Sequence, residues 1–161
     1  MKLFLLFVLI PFCFTVHAQN PQSGYGDKVK MAEDELAVKT VIEKFLTAAG
    51  NYDVASLRPL FLPNANIGAH RFKDGQWIPF SITAETWFES ISKNANPKPY
   101  TEPVSNYTIH ISEGRLAFVK ADAVLHRDGQ PKSHNMDFFV LMKDNTRWKL
   151  LSGSYTSVPI Q

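Results

Sequence analysis

Residues 104–157, VSNYTIHISEGRLAFVKADAVLHRDGQPKSHNMDFFVLMKDNTRWKLLSGSYTS, decide the fold. Apolar residues recur there at every second position, the spacing of strands that bury one face. Turn-forming residues interrupt the pattern at Glu113-Gly114 and at Asp144-Asn145-Thr146. Strands are therefore predicted over 104–112, 115–127, 133–143 and 147–157, forming a four-stranded antiparallel meander. On the third, Asn135, Asp137, Phe139 and Leu141 share one face, and His134, Met136, Phe138, Val140 and Met142 share the other. Both sets are largely apolar, so this strand reads as central and covered on both sides.

Upstream the period changes. Val38, Val41, Ile42, Phe45 and Ala49 recur at three- and four-residue spacing behind the acidic Glu33-Asp34-Glu35, predicting an amphipathic helix from Ala32 to Gly50. Residues 53–61 predict a shorter helix, with a 3₁₀ character imposed by Pro59. Pro63-Asn64-Ala65-Asn66 reads as a turn, and 66–72 with 77–82 as a hairpin about Asp74-Gly75. Thr83 suits the N-cap of a third helix whose apolar face carries Ala84, Trp87, Phe88 and Ile91. Residues 94–103 contain three prolines and predict a loop. Helices first and strands afterwards is the α+β pattern: N-terminal helices packed on a strongly curved antiparallel sheet, enclosing a cone.

The chain opens with Met1-Lys2 and an almost wholly apolar run from Leu3 to Val16, closed by Val16-His17-Ala18. That is the form of a cleavable signal peptide over residues 1–18, so an exported destination is expected, periplasmic or secreted, with no membrane attachment after cleavage. Residues 19–31 read as a flexible leader and 32–161 as one domain. The only cysteine, Cys13, and one lysine, Lys2, leave with the signal, so the formal charge of +2 becomes +1 and no disulfide is available. Scattered lysines and arginines give no footprint for nucleic acid.

With these elements placed, the residues resemble a known family. Phe45-Leu46-Thr47-Ala48-Ala49, then Tyr52-Asp53-Val54-Ala55-Ser56-Leu57, then Leu60-Phe61-Leu62-Pro63-Asn64-Ala65 are similar to the opening of nuclear-transport-factor-2-like (NTF2-like) domains. Asp137 to Lys143 followed by Trp148 to Ser152 resembles the closing hairpin of the SnoaL-like and lumazine-binding branches. The resemblance implies the cone fold over residues 33 to 157, while the superfamily hosts enzymes, binders and dimerisation modules alike. In the steroid-isomerase branch the proton-abstracting aspartate lies five residues after the Asp or Asn of this entry step. Here that position is Ala69, which carries no proton, and the adjacent His70 needs a local bulge to reach the same side.

Among the residues themselves, Asp137 is a carboxylate flanked by aromatics, read either as a proton-trading group or as a hydrogen-bonded anchor. Asn135 shares its face, Ser152 is expected to approach the pocket from the last strand, and Trp87 to stack on a flat ligand at the mouth. The candidate ligand-binding residues are thus Trp87, Asp137, His70, Asn135 and Ser152, with Asp137 and His70 the candidate acid and base. His70, His110, His126 and His134 match no metal spacing, and no cofactor motif is present. The leading expectation is an exported domain that binds a small, largely apolar ligand in its cone. The alternatives are a SnoaL-like isomerase, cyclase or dehydratase, or an interaction module whose outer sheet face pairs two copies in a homodimer.

Overall fold

The computed structural model describes residues 23–94 and 97–160; the expected signal peptide lies outside them. Helix α1 (Ser23–Gly50) is followed by the short α2 (Val54–Leu57), a 3₁₀ turn over Arg58–Leu60, and strands β1 (Phe61–Lys73) and β2 (Gln76–Thr83). Helix α3 (Ala84–Ser92) then leads through the proline-bearing segment to β3 (Val104–Ser112), β4 (Leu116–Arg127), β5 (Gln130–Asp144) and β6 (Arg147–Pro159). The six strands form one sheet in the order β2-β1-β6-β5-β4-β3. All neighbours run antiparallel except β1 and β6, which are parallel, so the sheet is mixed and mostly antiparallel.

Three predicted boundaries move. The first helix begins at Ser23 rather than Ala32, so residues 23–31, read as flexible leader, are helical. Residues 28–33 are exposed, so nothing packs there; once the packed turns have formed, each further helical residue gains its own hydrogen bond without a new nucleation cost. Pro63 to Asn66 is an irregular start to β1 instead of a turn, with a register shift between Phe61 and Asn66 and a left-handed Asn64 (φ 61°). The hairpin strands are accordingly longer than predicted. The meander falls where alternation placed it, with Glu113 and Asn145 taking the positive φ that its turns require.

The core sits between the helices and one face of the sheet. Val38, Ile42, Phe45 and Ala49 of α1 are buried against Val119, Ala121, Phe139 and Leu150. Each large apolar side chain removed from water here contributes roughly 1.5–3 kcal/mol. The small residues Ala117, Ala121 and Ala123 on β4 lie buried on the sheet's inner face. Thr83 caps α3, its Oγ1 accepting from the Thr86 N–H at 3.1 Å.

A polar clasp fixes α1 to the last hairpin. Asp34 is buried and accepts hydrogen bonds from Trp148 Nε1 at 3.0 Å and from Lys143 Nζ. Burial opposes its ionisation, but the bonds from Lys143 and Trp148 outweigh that and hold its carboxyl below the usual range. Trp148 thereby closes one end of the core with its N–H satisfied.

Candidate functional site

Between α1, α3 and the inner face of the sheet lies a cavity of about 340 Å³. That is at the small end of ligand pockets, which run roughly 300–1,000 Å³. Its apolar part is aromatic. Phe45 meets Phe139 edge to face at 5.5 Å between centroids, and Trp87 lies 6.0 Å from Phe45. Gly153 keeps this region open: a Cβ there would stand 3.4 Å from both Ile67 and Phe139.

The opposite wall is polar, and strand register builds it. Across the inner face Phe80, Ala69, Tyr155, Asp137 and Ala121 are consecutive partners on β2, β1, β6, β5 and β4. One step along, Arg71, Ser157 and Asn135 make the neighbouring row. Asn135 and Asp137 are buried, at 6% and 4% exposure. The Asn135 carbonyl oxygen accepts from Ser133 Oγ at 2.9 Å, which turns its amide N–H toward Glu102, to which it donates. Glu102 arrives on the segment leading into β3. Tyr100 N–H donates to Gly50 O at 3.0 Å, and Thr101 and His126 exchange backbone bonds at 3.0 and 2.8 Å.

Asp137 differs from its neighbours in having no hydrogen-bond partner for Oδ2 among the described residues. Burial raises its carboxyl first and the nearby Glu102 raises it further, to about 8. Burial also lifts Glu102, against the opposing bond from Asn135. Two acids in apolar surroundings do not both ionise near neutrality, and Asp137 keeps the proton. In that state its hydroxyl can donate a hydrogen bond to a ligand oxygen or nitrogen.

Two arginines complete the lining. Arg71 Nε donates to the Tyr155 hydroxyl at 3.0 Å, and its guanidinium lies 5.0 Å from the Phe80 ring centre. Arg127, at the end of β4, lines the same cavity with a buried Nε that has no partner among the described residues.

Of the predicted site residues, Trp87, Asn135 and Asp137 converge on this cavity. His70 does not. β1 carries no bulge there, so Ala69 and Arg71 face inward and His70 stands exposed on the outer side, 5.4 Å from the Trp77 ring. Asp137 and His70 therefore cannot act as an acid–base pair on one bound molecule. Ser152 is also misplaced, because β6 holds one residue more than β5 between Leu150 and Ser152. That bulge inverts the alternation: Ser152 pairs with Val140 of the outward set, and Gly153 and Tyr155 turn inward. His110 and His134 are exposed, and among the described residues no three His, Cys, Asp or Glu side chains are grouped to hold a metal.

Reading side chains alone missed Arg71, Glu102, Arg127 and Tyr155. Arg71 carried a usable signal, lying two residues beyond the inward Ala69 on an uninterrupted strand. Glu102 carried none, since a proline-rich segment has no periodicity to orient it.

A family model described as "Putative lumazine-binding" matches residues 33–156. The chain belongs to this family. Solved structures agree with the fold that this lumazine-binding family membership implies. An NTF2-like protein of unknown function from Shewanella baltica OS155 is 22% identical, with a TM-score of 0.59 over 80% of this chain and 97% of that one. An NTF2-like protein with a cystatin-like fold from Novosphingobium aromaticivorans is 10% identical, with a TM-score of 0.68 over 88% and 92%. A protein of unknown function with a cystatin-like fold from Nostoc punctiforme PCC 73102 is 14% identical, with a TM-score of 0.65 over 80% and 93%. At these identities the likeness establishes the NTF2-like fold alone. No curated protein matches the sequence.

Proposed function

We propose that this protein binds a small, flat, largely apolar molecule in the cavity between α1, α3 and the sheet. The observation that carries the reading is Asp137: a buried carboxyl with an orphaned oxygen, facing a hollow whose apolar wall is Phe45, Trp87 and Phe139. A buried polar atom without a partner costs about 1–3 kcal/mol. A ligand that satisfies it recovers that energy while its rings stack on the aromatics. Lumazine, for which the family is named, is a flat bicycle that would share the shape of such a ligand and offer a polar amide edge to Asp137.

Titrating the protein with lumazine and with 2-naphthol, read by tryptophan fluorescence, tests this directly. Saturable quenching that disappears in Trp87→Phe is the expected result. Linear, unsaturable quenching by both probes overturns the reading. The mature chain is proposed to begin at Gln19 after export, which N-terminal sequencing of protein recovered from periplasm or medium checks.

A second reading, an isomerase, cyclase or dehydratase, draws on the raised Asp137 carboxyl, which sits where a general acid works near neutral pH. Its partner would be Glu102 in place of His70. A third proposal concerns the outer sheet face, where Phe118, Met136, Phe138 and Met142 are 37–50% exposed on adjacent strands. A second copy of this chain meeting it about a two-fold axis would cover these side chains. Sedimentation should give a dimer that Phe138→Lys converts to a monomer; a wild-type monomer at high concentration sinks the proposal.

A further inference from the structure

The cavity's polar groups are unequally neutralised. Asn135 donates to Glu102 without cancelling its charge, whereas burial and the nearby Glu102 favour the protonated form of Asp137, so the acidic wall carries less charge than its two carboxyls suggest. Neither Arg71 nor Arg127 forms an ion pair among the described residues. Arg71 gives its Nε–H and an Nη2–H to the Tyr155 hydroxyl, leaving its remaining N–H groups unspent, and the Arg127 Nε–H has no acceptor among the described residues although the atom is buried. Two guanidinium charges, neither in an ion pair among the described residues, therefore line one small cavity that also holds Glu102. Guanidinium forks are suited to planar anions, which they bind through paired N–H···O bonds.

The arrangement has a direction. Arg71 lies one row beyond the Tyr155–Asp137 pair, in line with Ser157 and Asn135, and Arg127 ends β4 beside the turn to β5. The aromatic group of Phe45 and Phe139 lies the other way along the strands, past Gly153. Tyr155 and Phe80 hold the Arg71 plane, so little side-chain entropy remains to be lost on binding.

We infer that the bound molecule carries a carboxylate, held by Arg71 and Arg127, with its flat apolar body directed toward Phe45, Trp87 and Phe139. This inference rests on the ligand-binding reading above and names the chemical class of its ligand: an aromatic or polyene carboxylic acid.

The test uses two probes of the same shape, 2-naphthoate and 2-naphthamide, titrated at pH 7 and low salt by calorimetry. Naphthoate should bind at least about tenfold more tightly, as charge-assisted bonds to arginine allow. Arg127→Gln and Arg71→Gln should each weaken naphthoate about tenfold while leaving naphthamide within about twofold of wild type. Naphthamide binding doubles as the control that each variant remains folded. Equal affinities of the two probes, or equal losses for both probes in the arginine variants, overturn the carboxylate inference and leave the cavity reading standing. Failure of both probes on the wild-type protein overturns the cavity reading itself, and the inference with it.

Discussion

Two buried aspartates stand at opposite ends of one energetic scale. Asp34 receives Trp148 and Lys143, and its carboxyl is held below the ordinary range. Asp137 has an oxygen with no partner, faces Glu102, and is raised to about 8. Both lie on elements of the same core, and burial alone would push both upward. What separates them is whether the fold supplies donors. At Asp34 it does, and the group joins a helix to a hairpin. At Asp137 it withholds them, leaving unspent hydrogen-bonding capacity beside a hollow.

Removing each carboxyl should therefore have opposite effects. Asp34→Ala leaves Lys143 and the Trp148 N–H without their acceptor and should destabilise the protein by about 3 kcal/mol, as breaking a buried pair does; chemical denaturation at pH 7 measures it. Gly50→Ala attacks the other end through its cover. A Cβ there would stand 2.2 Å from the Tyr100 carbonyl oxygen, so the segment carrying Glu102 must shift. The expected loss is about 1–3 kcal/mol, the usual penalty of overpacking. With Glu102 displaced, the Asp137 carboxyl should titrate lower, which the carboxyl ¹³C shift followed against pH reports.

Asp137→Asn should stabilise rather than weaken, by on the order of 1–2 kcal/mol at pH 8, once the cost of keeping a proton there is gone. The sign follows from linkage. The folded value of about 8 exceeds the ordinary 3.8, so between these values the folded state holds a proton that the unfolded chain releases. Wild-type stability from this group thus falls as pH rises from about 4 to about 8, and the melting-temperature gap to Asp137→Asn should widen over that window. Asp34 contributes the reverse, with stability present above its ordinary range and lost as pH falls through its lowered folded value. A constant gap across that window would remove the contrast between the two groups. His70→Ala, on the outer face, should change stability by less than about 0.5 kcal/mol and leave probe binding unaltered.

The meander and the third helix were legible because each rests on a local rule: alternation from Val104 onward, and a threonine cap with an apolar stripe behind it. Asn135 and Asp137 were legible because parity along an uninterrupted strand orients a side chain, and Trp87 because helical spacing placed it on the apolar face of α3. The parallel pairing of β1 with β6 had no local signature, because the two strands are separated by nearly the whole domain. Glu102 reaches the site from an aperiodic segment positioned by backbone bonds to Gly50 and His126, and composition cannot announce such bonds. His70 was drawn to the site by its chemistry, whereas the regular pleat of β1 had already assigned the place to Ala69.

The extra residue of β6 has a consequence that reaches beyond its own position. A pleat has a memory of two, so one unpaired residue near Leu151 reverses the sidedness of everything that follows. Closing the bulge by sliding the rest of β6 one place along β5, with no residue removed, would preserve the amino acids of the hollow and yet empty it of its phenol: Ser154 and Thr156 would turn in, Tyr155 would turn out, and Arg71 would lose the hydroxyl that steadies it. The chemistry of this interior is thus encoded partly as a count of residues, and a gapless comparison with an unbulged relative would match the wrong faces.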